Sequence, residues 1–254
     1  MATTKEVQIR KVVFGSEHPA ALCSSLIGAT TSQLVEEAKM ILQKKPDVLE
    51  WRADFFADLA KLDAVLATAT SLREVIGDTV LLFTIRSVQE GGQPISLTIA
   101  EQEELISRLI ETELIDLLDI ELASEFIGMD LLKQLSAKHH VKWIVSTHDF
   151  KKTPSFDQMI EFLQAGQAAG ADLVKLAVMP QSSQDVLTLL SVTNEASAKL
   201  DIPVITMSMG KLGVSTRLIG DQFGSAMTFA VGHQASAPGQ VPIEVIKDIQ
   251  HYTS

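Results

Sequence analysis

The chain has 254 residues and a mass of 27.6 kDa, with 46% apolar and 21% charged side chains. At that size about three quarters of the unfolded surface can be buried, which excludes a disordered, collagen-like or coiled-coil chain. The 21 basic and 32 acidic side chains leave a formal charge of −11, which repels a phosphate backbone, so nucleic acid is not an expected partner.

In chain order, residues 1–20 contain EVQIRKVVFGS, whose alternation predicts a short β-hairpin preceding the main fold and plugging its bottom. The start lacks the apolar stretch of a secretory signal, and no run approaches the roughly eighteen apolar residues of a membrane span. A cytoplasmic protein without a membrane partner is expected. Cys23 is the single cysteine and the six histidines are scattered, so neither a disulfide nor a zinc-type metal site is expected.

Eight apolar or β-branched runs follow: 21–28, 47–54, 79–87, 114–122, 141–149, 172–179, 203–210 and 225–232. Between them lie helical windows. Leu34, Ala38, Ile41 and Leu42 precede Pro46; Leu105 and Leu109 follow a Thr98/Glu101 capping box; Met159, Phe162 and Leu163 follow Ser155/Gln158. Eight strand-plus-helix units in about 230 residues fit a closed (β/α)8 TIM barrel, α/β in class. A doubly wound sheet would carry a Gly-rich turn after its first strand, and Gly28 stands alone there. No linker or composition break divides the chain, so 1–254 is read as one domain.

Catalytic groups of such barrels come from the C-terminal strand ends. Polar residues interrupting the runs are therefore the candidates: Glu50 and Arg52, Arg86, Asp119 and Glu121, His148 and Lys175, with Met207 and Met209 on the seventh run. Lys175 breaks an otherwise buried strand. Desolvation and nearby cationic charge push such an amine down from about 10.4, a three-unit drop costing roughly 4 kcal/mol but supplying a nucleophile that attacks ketones to form an imine. An ion pair with Asp119 or Glu121 across the barrel explains the same residue equally well. His148, one strand earlier, is placed to act as general acid/base beside it, since adjacent strands lie about 4.8 Å apart. Glu90, in the Val-Gln-Glu-Gly-Gly loop, either orients His148 or is a solvated loop carboxylate.

Three of the six arginines, Arg52, Arg86 and Arg217, converge on the predicted mouth. Their planar forks suit a carboxylate or polyhydroxylated substrate. Arg52 is explained as well by pairing with Glu50, Asp54 or Glu121. The last loop, 235–240, offers hydroxyl and amide groups without added charge, favouring a carboxylate over a phosphate.

Seven motifs in register across the eight runs resemble the type I 3-dehydroquinate dehydratases, the Schiff-base enzymes of the shikimate pathway: Glu-Trp-Arg-Ala-Asp (50–54), Phe-Thr-Ile-Arg-Ser (83–87), Ser-Thr-His-Asp-Phe (146–150), Val-Lys-Leu-Ala (174–177), Met-Ser-Met-Gly (207–210), Ser-Thr-Arg (215–217) and Ser-Ala-Pro-Gly-Gln (236–240). The resemblance implies a cofactor-free homodimer acting on the small molecule 3-dehydroquinate, with Lys175 forming the imine and His148 removing a proton and protonating the departing hydroxyl. It further implies that Arg217 holds the substrate carboxylate, with Ser236 and Gln240 closing over it. Glu50, Arg86 and Arg52 would bind ring hydroxyls, Glu90 would support His148, and Ser25, Met207 and Phe229 would shape the pocket. His233 has no role implied and is read as a solvated loop histidine. The rival readings are a class I Schiff-base aldolase and a non-catalytic small-acid-binding barrel.

Overall fold

The computed structural model of the protein describes residues 5–253; residues 1–4 and 254, the ends of the predicted hairpin and barrel, lie outside them. Strands β1 (Val7–Ile9) and β2 (Val12–Phe14) form an antiparallel pair in the register Val7 with Phe14. Eight parallel strands follow: β3 (Ala21–Leu26), β4 (Val48–Arg52), β5 (Val80–Thr84), β6 (Leu117–Glu121), β7 (Lys142–Asp149), β8 (Leu173–Val178), β9 (Val204–Ser208) and β10 (Met227–Ala230). They pair in the order β10-β3-β4-β5-β6-β7-β8-β9. Between β9 and β10 the ladder shrinks to one bridge at Val204 and Ser225, and the Ser225 hydroxyl takes over by accepting from the Thr206 amide at 3.1 Å. The TIM barrel is thus nearly closed by a side chain where backbone pairing gives out.

The helices are α1 (Thr31–Leu42), α2 (Leu62–Ile76), α3 (Ile99–Glu111), α4 (Met129–Lys138), α5 (Phe156–Ala168), α6 (Ser183–Lys199), α7 (Val214–Ile219) and α8 (Ile243–Thr253). The capping boxes predicted at Thr98/Glu101 and Ser155/Gln158 are both formed, and further ones start α1 at Thr30/Gln33 and α6 at Ser182/Asp185. Each satisfies two orphan amides and fixes where a helix begins. Phe162 departs from its expected place: Met159 and Leu163 are buried, while Phe162 is exposed on the flank of the α5 apolar stripe.

Strand parity divides the core. Leu49, Trp51, Leu81, Phe83, Leu118 and Ile120 point outward against the helices, as do Val174, Leu176 and Val178. Val48, Val80, Leu82, Leu117, Ile144 and Leu173 point inward, packed with Ile9 and Phe14 of the hairpin, which closes the bottom. Arg10, at left-handed φ 52, anchors that plug through Nε to Asp116 Oδ1 at 2.6 Å, and Arg73 holds the other oxygen at 2.7 Å. Continuing each inward row by two residues replaces aliphatic by polar groups: Val48 gives way to Glu50 and Arg52, Leu117 to Asp119 and Glu121, Ile144 to Ser146 and His148, and Leu173 to Lys175. One end of the barrel is sealed in hydrocarbon; the other carries the chemistry.

Candidate active site

Lys175 is buried at the middle of β8, with Nζ 3.0 Å from Asp119 Oδ2 and 4.4 Å from the centroid of the Phe229 ring. The ion pair with Asp119 left open by the sequence is therefore present, whereas Glu121 turns to Arg86 instead. Asp119 is enclosed completely. Its second oxygen lies 2.7 Å from Arg86 Nη2 and accepts from the Ser146 hydroxyl at 2.6 Å, and Arg86 and Lys175 hold it down at about 2 against the upward pull of burial.

His148 does not stand level with Lys175. In the register of β7 and β8, Lys175 pairs with Ser146 and His148 pairs with Ala177. The imidazole thus sits one interior layer, about 6.6 Å, above the lysine backbone. Lys175, Ala177 and His148 nevertheless line the same cavity. His148 Nδ1 lies 2.7 Å from Glu90 Oε2, and Phe150 stacks on the ring at 6.4 Å between centroids. Burial, reinforced by the positive charge of Arg86, Lys175 and Arg52, pushes His148 well below its usual range, so the imidazole is neutral. Glu90 is pushed up to about 8 by burial, with Glu121 adding repulsion. It is a buried partner of His148, and the solvated-loop alternative does not describe it.

Arg86, two residues past the end of β5, is ringed by acids. Beside Asp119, its Nη1 contacts Glu121 at 3.1 Å, the Ser146 hydroxyl at 2.9 Å and Glu90 at 3.5 Å, and these carboxylates keep it firmly charged. Arg52 is likewise committed, donating through Nε and Nη2 to the two oxygens of Asp54 at 2.8 Å each. Both still line the cavity, so any contact with a guest would come on top of these pairs. Glu50 accepts from Ser25 at 2.5 Å and Thr84 at 3.0 Å.

Arg217 is the contrasting cation. It is buried; its neighbours are the carbonyl oxygens of Phe229 at 3.2 Å and Pro238 at 3.3 Å and the Met207 sulfur at 3.4 Å, and its Nε has no partner among the described residues. Burial alone lowers it to about 10. A guanidinium taken out of water with no carboxylate beside it is a site for an anionic guest. Above it the segment 236–240 folds over the mouth: Ser236 Oγ donates to Ser25 Oγ at 2.9 Å, and Gln240 Oε1 accepts from the Ser236 amide at 2.9 Å. His233 is exposed beside this segment.

These groups enclose a cavity of about 50 Å³ lined by all the residues that the resemblance implicates except Ser25, which reaches it through Glu50 and Ser236. A larger open groove of about 600 Å³ lies on the outer side of Arg86 and Glu90, between the loops after β5 and β6; it contains neither Lys175 nor His148. The sequence alone gives Asp119 no more than an ion pair, and it gives no role to Ser146 or Phe150, although both stand in the 146–150 motif. Ser146 carries a usable signal, since it shares the inward parity of His148 two residues on.

The type I 3-dehydroquinase family model matches residues 22–254. A 3-dehydroquinate dehydratase of Geobacillus thermodenitrificans (strain NG80-2) is 46% identical over 251 residues, covering 98% of this chain and 96% of the relative. The crystal structure of 3-dehydroquinate dehydratase from Geobacillus kaustophilus HTA426 superposes with a TM-score of 0.94 at 43% identity, covering 98% of both chains. The type I enzyme of Clostridium difficile, solved with covalently modified comenic acid, gives 0.93 at 37% identity over 99% of this chain and 98% of its own. With the barrel, the cavity and these relatives in agreement over nearly the whole length, the chain belongs to the type I 3-dehydroquinase family.

Proposed function

We infer that this enzyme is a hydro-lyase that removes water from 3-dehydroquinate to give 3-dehydroshikimate through an imine on Lys175. The observation that carries the reading is that Lys175, His148 and Arg217 line one cavity. Arg217, whose Nε lacks a partner among the described residues, takes the substrate carboxylate by its uncompensated charge, fixing the ring beneath Ser236 and Gln240. Lys175 Nζ adds to the C3 ketone, and loss of water leaves a protonated imine. Neutral His148, held by Glu90 through Nδ1, presents Nε2 and takes a C2 proton; the electron pair flows into the imine as an enamine. The resulting imidazolium returns its proton to the C1 hydroxyl, which leaves as water from the same face. Hydrolysis of the imine frees the product. Glu50, Arg52 and Arg86 meet the ring hydroxyls, and Met207 and Phe229 give the pocket its shape.

A class I aldolase would cleave a carbon–carbon bond, and a binding module would turn nothing over. Incubation with 3-dehydroquinate and borohydride, followed by peptide mapping, separates the three readings. The dehydratase yields an ultraviolet-absorbing enone in the absence of borohydride and a reduced adduct on the Lys175 peptide in its presence; an adduct elsewhere, or a shorter carbonyl product, removes the assignment. The homodimer rests on the sequence resemblance, and sedimentation of the purified chain checks it.

A further inference from the structure

Asp119 is the carboxylate in contact with the reacting nitrogen, and the mechanism above gives it no part. Its two oxygens are divided, Oδ2 to Lys175 at 3.0 Å and Oδ1 to Arg86 at 2.7 Å and Ser146 at 2.6 Å, in a position closed to water. Stability does not account for such an arrangement, because a buried ion pair commonly gains little over apolar packing of the same volume.

The other titratable groups turned toward this nitrogen do not duplicate it. Cys23 on β3 is held as a neutral thiol by burial. Glu50 on β4 is occupied by two hydroxyls, and Glu90 beyond β5 is committed to His148. Arg86 and Arg217 are cations, and His148 on β7 is kept neutral by burial. Among the described residues, Asp119 is thus the only carboxylate at ion-pair distance from Lys175 Nζ.

We propose that Asp119 is the permanent counter-ion of the Lys175 nitrogen, keeping the imine protonated, and hence electron-withdrawing, while His148 removes the substrate proton. The charge balance favours this. An ammonium and a ketone give an iminium and one water, so the positive charge is the same before and after imine formation, and one immobile carboxylate serves both states. Arg86 and Ser146, bound to the other oxygen, stop that carboxylate from acting as the proton acceptor and hold it in place. Asp119 is thus a positioning residue acting through Lys175, and the proposal rests on the Schiff-base reading.

The test is Asp119→Asn, nearly the same shape without the charge. We expect borohydride still to trap an adduct on Lys175, kcat to fall on the order of a hundredfold with KM little changed, and the alkaline limb of the kcat profile to move about one to three pH units toward acid. A limb that stays in place overturns the counter-ion role. Wild-type enzyme labelled with ¹⁵N at lysine and saturated with product gives a measurement independent of how the variant folds. The imine nitrogen should stay protonated throughout the neutral and mildly alkaline range, and its titration near neutrality overturns the proposal. Failure of wild-type enzyme to form any Lys175 adduct would instead remove the Schiff-base reading beneath it.

Discussion

His148 and Glu90 form a buried pair, Nδ1 to Oε2 at 2.7 Å, in which each group is driven toward its neutral form. This coupling has a consequence for stability. Glu90 has a folded-state value of about 8 against 4.5 in the unfolded chain, so between those limits the folded protein holds more protons and its stability falls as pH rises. Glu90→Gln keeps a hydrogen-bonding partner for Nδ1 without the ionisation. Relative to wild type the variant should therefore gain on the order of 2 kcal/mol between pH 5 and pH 8. Urea unfolding of both proteins across that range checks it; parallel curves would show that Glu90 ionises freely.

Arg217 should trade stability for affinity. Its buried charge has no carboxylate partner among the described residues, so Arg217→Met is expected to leave the fold intact or to stabilise it by about 1 kcal/mol. Affinity for carboxylate ligands should drop on the order of a hundredfold, corresponding to about 3 kcal/mol of charged hydrogen bonding. Paired calorimetric melts and ligand titrations decide it. A variant that binds as tightly as wild type would move the carboxylate elsewhere in the cavity.

The hairpin plug should matter for stability and not for turnover. Phe14 is fully buried among the inward aliphatic residues at the end of the barrel remote from Lys175. Phe14→Ala should cost about 3–5 kcal/mol. Folded variant at low temperature should keep wild-type kcat, because Phe14 does not line the cavity that holds Lys175 and His148. A selective loss of kcat with little loss of stability would contradict this division of labour.

The contrast between Phe14 and Arg52 shows what a sequence can and cannot disclose. Short apolar runs and capping boxes are local, so the eight strands, their order and the helix starts at Thr98 and Ser155 are legible in the amino-acid sequence alone. Lys175 and His148 stand out because each breaks an apolar strand run. The division of ion pairs is not legible, since several acids lie within reach of each base and the choice depends on interior height. Arg52 takes Asp54 and Arg86 takes Asp119 and Glu121, while Arg217 takes none among the described residues. The layer offset between His148 and Lys175 is hidden for the same reason: register between strands is fixed by barrel shear, which no single strand encodes.

Closure of the 236–240 segment should depend on one backbone conformation. Gly239 has φ 78, and a Cβ there would lie 2.3 Å from the carbonyl oxygen of Gly210, in the turn after β9. The neighbouring bond from the Gly210 amide to the Pro238 carbonyl, 3.1 Å, holds the two turns together, and Pro238 also accepts from Arg217. Gly239→Ala therefore forces the turns apart, costing the left-handed conformation about 1–2 kcal/mol and lifting Ser236 and Gln240 away from Ser25. Global stability should change little, because the segment is partly exposed and few apolar groups depend on it. We expect KM to rise tenfold or more with a smaller effect on kcat, together with faster proteolysis between residues 233 and 240. A variant with unaltered KM and unaltered proteolysis would show that the mouth works without this contact.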